Sequence, residues 1–132
     1  MRTNPACVML IDDDDDDNFF HSLVLNEMHA TEHIEVAENA FKALDYLRET
    51  FPPPDLIFLD INMPKMNGWE FLEQYHELSM DHKARVVIIM LTTSLNPSDL
   101  ARSRQIPEIS GFETKPLTEE KLEKILAKYF EL

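Results

Sequence analysis

The residues with chemical potential in this chain sit at the ends of apolar runs. Residues 7–11 lead into six consecutive aspartates, Asp12 to Asp17. Residues 56–59 end on Asp60, within LIFLDINMPKMNGWEF. Residues 86–91 end on Thr92, within VVIIMLTTS, and a short run at 111–114 ends on Lys115, within GFETKPLT. Crowded carboxylates repel one another until a cation neutralises them. A hard divalent ion suits them, and Mg2+ is usually held by one or two carboxylates together with water and a substrate phosphate. A phosphoryl group brings negative charge that Mg2+, the Lys115 ammonium and the Thr92 hydroxyl can meet. Such a set fits phosphoryl transfer, where positioning and electrostatics do most of the catalysis. A carboxylate can be the nucleophile and form an aspartyl-phosphate, and Asp60 is the expected acceptor.

These residues meet only if the chain folds in a particular way. The runs 7–11, 56–59 and 86–91 do not alternate apolar with polar, which suits strands buried on both faces of a parallel sheet. Residues 34–37 do alternate and are expected nearer an edge; 111–114 is a short fifth strand. Helical stripes separate the runs. Phe20, Leu23, Val24 and Met28 form the first, and Ala40, Ala43, Leu44 and Leu47 the second, capped by Asn39. Phe71, Leu72, Tyr75 and Leu78 form the third. A fourth helix opens at Asn96 with proline in its first turn and a thin apolar face. Thr118 caps the last, with Leu117 and Leu122 as a staple and Leu122, Ile125, Leu126 and Tyr129 as its stripe. Five β-α alternations predict an open α/β sheet with helices on both faces and right-handed crossovers. All the chemical residues then lie at carboxyl ends of strands, the edge where such sheets bind ligands.

Composition narrows the function. The 132 residues fit one domain, 1–132, able to bury roughly two-thirds of its unfolded surface. Pro52-Pro53-Pro54 reads as a stiff approach to the third strand, not a domain boundary. A formal net charge of -13 disfavours nucleic acid and anionic membrane and favours cations. Cys7 is the only cysteine, and the apolar run Val8-Met9-Leu10-Ile11 is too short for a signal peptide or a membrane span. Both points lead to the expectation of a cytoplasmic protein.

The motifs LIDDD, LDINMPKMNGWEF, LTTS and ETKP occur in the order and at the spacing of one family. From Cys7 to about Tyr129 the chain resembles the receiver domain of two-component response regulators, of the stand-alone type. The resemblance implies a flavodoxin-like (βα)5 fold with strand order 2-1-3-4-5. It implies that Asp60 is phosphorylated, that Asp13 binds Mg2+ directly with Asp12 acting through water, and that Asp60 and the Asn62 backbone carbonyl complete the protein's ligands. Thr92 and Lys115 would contact the phosphoryl group, Phe112 would hold the switch-aromatic position, and Lys115-Pro116 is expected to be cis. The implied donors are a sensor histidine kinase or a phosphotransfer protein. The output would be a protein partner reached through helix four, strand five and helix five, in a monomer or a phosphorylation-dependent dimer. The domain would catalyse only its own phosphorylation and dephosphorylation. Phe112 lacks the hydroxyl of a tyrosine, Thr93 stands where a smaller residue is frequent, and Asn62 and Ser94 fall where the family tunes dephosphorylation.

Plainer readings compete. Asp14 to Asp17 are expected mostly to complement a helix dipole and stay solvated, leaving two of the six aspartates chemical, although Asp14 could touch a metal's water shell. Phe112 serves equally well as core. Gly68 and Gly111 suit turns, and the five histidines show no ligand spacing. A small aspartate-nucleophile phosphatase is one alternative: the Asp-x-Asp pattern fits, but the threonine or valine expected after it is missing and no cap has room. A calcium loop fails, because Asp17 stands where glycine is needed and Leu23 where glutamate is needed. A degenerate receiver acting as a constitutive binding module remains open.

Overall fold

The computed structural model describes residues 3–50, 52–78, 86–94 and 96–131. Strands β1 (Cys7–Ile11), β2 (His33–Ala37), β3 (Leu56–Asp60), β4 (Val87–Thr92) and β5 (Gly111–Thr114) alternate with helices α1 (Asp15–Glu27), α2 (Ala40–Glu49), α3 (Gly68–His76), α4 (Pro97–Ser103) and α5 (Glu119–Tyr129). The strands form one parallel sheet in the order β2-β1-β3-β4-β5. Polar β2 is an edge, as its alternation predicts, and β1, β3 and β4 are interior.

The uninterrupted apolar runs have a direct explanation. Successive side chains of a strand point to opposite faces, so a strand covered on both sides needs apolar residues at every position. Met9, Ile11, Ile57, Leu59, Ile88 and Met90 pack with Ala43, Leu44 and Leu47 of α2 and Phe71, Leu72 and Tyr75 of α3. Val8, Leu10, Leu56, Phe58, Ile89 and Leu91 pack on the other face with Val24 and Leu25 of α1 and Leu122, Ile125 and Leu126 of α5. Helix starts follow their caps: Asn39 accepts from the Lys42 amide, Thr118 from Lys121, and Asn67 with Glu70 forms a reciprocal capping box on α3.

Helix α1 departs from the expected stripe. Phe20 and Leu23 are each 44% exposed, whereas Asn18, His21, Val24 and Leu25 are buried. Asp14 caps this helix by accepting from the Asp16 and Asp17 amides. That cap, together with the Asn18 side-chain amide Nδ2 donating to the Asp12 carbonyl at 2.9 Å, sets the helix's rotation. Polar residues therefore occupy part of the inward face, and three large apolar residues, Phe19, Phe20 and Leu23, are turned to solvent.

Candidate functional site: an acidic pocket closed by a lysine

β1 and β3 are adjacent and parallel, with Ile11 opposite Leu59, so Asp12 and Asp60 emerge side by side at their carboxyl ends. Carboxylate oxygens of Asp12, Asp13 and Asp60 all lie within 4.8 Å of one another. Asp12 and Asp60 are buried at 4% and 7% exposure; Asp13 is exposed. Asp12 is held from three directions. Its amide donates to the Ala37 carbonyl at 3.1 Å, its Oδ1 accepts from the Asp14 amide at 3.0 Å, and its carbonyl accepts from Asn18.

Lys115 reaches this cluster from the end of β5. Its amide donates to the Thr92 carbonyl at 2.6 Å, tying the turn to β4. Its Nζ donates to Asp12 Oδ2 at 2.6 Å and to Asp17 Oδ2 at 2.8 Å, and lies 3.4 Å from Asp60 Oδ1. The Lys115-Pro116 bond is cis, as expected. Thr92 is buried at the end of β4, one residue beyond Leu91, which pairs with Asp60. Asn62 is exposed, two residues past Asp60. Phe112 is half-buried against the α2–α3 side of the core, and Thr93 and Ser94 are exposed.

The loop after Asp60 is tightly determined. The Met66 amide donates to the Pro64 carbonyl at 2.8 Å around Lys65, whose φ is 69°, a three-residue turn in the strained left-handed region. Gly68 then donates its amide to the Ile61 carbonyl at 2.8 Å. A Cβ on Gly68 would stand 2.7 Å from the Asp60 carbonyl oxygen and 3.0 Å from Ile61 Cα, both backbone atoms that cannot swing aside. The glycine serves this close approach of α3 to Asp60, not the turn its type suggested. Gly68→Ala is expected to destabilise the fold by about 1–3 kcal/mol, an overpacking cost. An unchanged midpoint in urea denaturation would contradict this contact.

The electrostatics follow from the crowding. Burial, and then the neighbouring Asp12 charge, push the Asp60 carboxyl up to about 6, against the opposing pull of Lys115. Burial disfavours the Lys115 ammonium, but hydrogen bonds to Asp12 and Asp17 outweigh it and hold the group above the ordinary lysine value. Burial also lowers the His21 imidazole, opposed chiefly by Asp17. All side-chain donors in the cluster are carboxylate oxygens, the hard ligand type that Mg2+ takes, and they are close enough to share one ion.

Sequence reasoning missed two residues here. Asp17 was expected to be solvated, yet it is half-buried and paired with Lys115. Asn18, which braces Asp12, carried no expected role. Phasing α1 from an Asp14 cap would have placed Asp17 in its first turn and Asn18 one turn after the cap. Asp14 itself is committed to that cap.

A flavodoxin-like sheet whose strand-end pocket joins three carboxylates to one lysine defines a class: α/β signalling domains of the response-regulator kind. The receiver domain model of response regulators matches residues 8–127, and the chain belongs to that family. It is 33% identical over 121 residues to the chemotaxis protein CheY of Treponema pallidum, covering 89% of this chain and 78% of that protein. The crystal structure of a two-component response regulator from Cytophaga hutchinsonii matches with a TM-score of 0.89 at 30% identity, over 96% and 98% of the two chains. Protein-glutamate methylesterase/protein-glutamine glutaminase 3 of Burkholderia thailandensis is 37% identical over 86 residues, 65% of this chain; the match spans only 22% of that relative's length. The protein is thus a CheY-like receiver domain, consistent with two-component signalling. Among the described residues no helix is long and apolar enough to cross a membrane.

Proposed function

We propose that this domain is a cytoplasmic receiver that accepts a phosphoryl group on Asp60 from a phosphohistidine of a sensor kinase or phosphotransfer protein. One observation carries the reading: the carboxylates of Asp12, Asp13 and Asp60 converge within 4.8 Å, with the Lys115 ammonium 3.4 Å from Asp60. Asp13 directly, Asp12 through water, Asp60 and the Asn62 carbonyl would hold Mg2+. When bound, the ion neutralises charge on the carboxylates and on the incoming phosphoryl oxygens.

An Asp60 carboxylate oxygen attacks phosphorus in line. The O–P bond forms as the P–N bond breaks, and its electron pair returns to the donor imidazole. Lys115 meets the charge carried on to the acyl phosphate. The Thr92 hydroxyl, at the end of the strand beside Asp60, bonds a phosphoryl oxygen and draws its backbone inward. The bias passes to the α4–β5–α5 face, where a protein partner or a second copy is recognised. Phe112 takes part through packing alone, since it has no hydroxyl. Water later hydrolyses the acyl phosphate, so the domain catalyses only its own phosphorylation and dephosphorylation.

Intact mass after incubation with acetyl phosphate tests this. With Mg2+, one phosphoryl adduct is expected, labile to hydroxylamine and mapping to Asp60; with EDTA, none. An adduct that resists hydroxylamine, or no adduct at all, would overturn the assignment. Steady release of phosphate from a generic ester would instead favour the phosphatase reading.

A further inference from the structure

We propose that Asp17 is a positioning residue for this pocket: by sharing the Lys115 ammonium, it holds the amine short of Asp60 and of the cation position. The inference rests on the function proposed above. Lys115 Nζ is 2.6 Å from Asp12 and 2.8 Å from Asp17, but 3.4 Å from Asp60. A single positive charge is thus divided among three carboxylates, and the acceptor has the longest contact.

The first turn of α1 fixes where Asp17 stands. Asp14 Oδ1 accepts from both the Asp16 and the Asp17 amides, so the Asp17 backbone is pinned while its side chain points at Lys115. Asp15 and Asp16 are exposed, whereas the Asp17 side chain is only 35% exposed. This separates a specific contact from the general charge of the run.

The consequence is competitive. Lys115 and a divalent cation seek the same oxygens on Asp12 and Asp60. Without the Asp17 carboxylate, the ammonium has only those two residues to satisfy it, and it settles further onto them. The cation then has to displace it, and Asp60 is less free to attack phosphorus. With Asp17 present, the amine waits between α1 and the pocket and can follow the phosphoryl group once it arrives.

The test is the Mg2+ affinity of the intact protein by isothermal titration calorimetry, at fixed ionic strength and without phosphodonor. Asp17→Asn is expected to bind Mg2+ about three- to fivefold more weakly, the scale of one half-exposed ion pair. Asp16→Asn removes the same formal charge from the same helix turn but no contact with Lys115, and should change affinity less than about 1.5-fold once salt screens it. Asp17→Glu should recover the wild-type value to within about twofold. In acetyl phosphate labelling, Asp17→Asn should raise the Mg2+ concentration for half-maximal rate by the same factor and leave the rate at saturation unchanged. Equal effects of Asp17→Asn and Asp16→Asn would overturn the proposal, because Asp17 would then add only field. Should wild type take no phosphoryl group while the affinity difference persists, the proposed function fails and the positioning of Lys115 stands.

Discussion

Asp60→Asn is expected to abolish phosphoryl acceptance and, in metal-free buffer at pH 7.5, to make the protein more stable. The first effect follows from chemistry: an amide is no nucleophile toward phosphorus, so labelling should fall at least about a hundredfold. The second follows from burial. An acid ionises near 3.8 when unfolded, and this one is pushed up to about 6 when folded. A raised carboxyl favours the folded state below the unfolded value and loses that advantage as pH rises through the folded value. Ionised Asp60 therefore costs stability above about pH 6. At 1.36 kcal/mol per unit the shift sets an upper bound of about 3 kcal/mol, and water at the pocket mouth reduces it to about 2 kcal/mol. Asparagine keeps the shape and removes the charge, while Lys115 retains Asp12 and Asp17. The Tm advantage of Asp60→Asn should be full above about pH 6.5 and fade between about pH 6 and 4. A variant no more stable than wild type at pH 7.5 would show that the pocket is not strained by its own charge.

Millimolar Mg2+ should produce the second large effect, a rise in wild-type Tm. An ion that binds only the native carboxylate cluster stabilises by RT ln(1 + [Mg2+]/Kd), about 2.7 kcal/mol at a hundredfold excess over Kd. For a domain of this size that is roughly 10 °C. Asp13→Ala removes an exposed carboxylate of the proposed ligand set without opening a cavity, so it should fold normally and lose most of the gain. The rise should also shrink as pH falls through about 6, because a proton and the cation compete for Asp60. Differential scanning fluorimetry with Mg2+ and with EDTA measures all three; an Asp13→Ala gain equal to that of wild type refutes the ligand set.

The contrast between the third strand and the first helix shows where sequence reading succeeds. Residues 56–59 are apolar at every position, a short run that suits a strand covered on both faces, so β3 and the placement of Asp60 at its end were legible. The same holds for β4 with Thr92. Helix α1 was legible as a helix but not in its rotation. An amphipathic reading sums hydrophobicity and turned Phe20 and Leu23 inward, whereas the observed phase follows polar bonds that summed hydrophobicity ignores: the Asp14 cap and the Asn18–Asp12 contact. Asp17 was misread for the same reason, since its partner is 98 residues away in the chain.

By itself the sequence determined the βα alternation, the strand-end positions of Asp12, Asp13, Asp60, Thr92 and Lys115, and the excess of negative charge. Periodicity and caps are local, so they survive in one dimension. The tertiary structure decided how one ammonium is apportioned among three carboxylates, which face of α1 is buried, and that Gly68 lies against the Asp60 backbone. Those outcomes depend on distances between elements far apart in the chain, and only packing sets them.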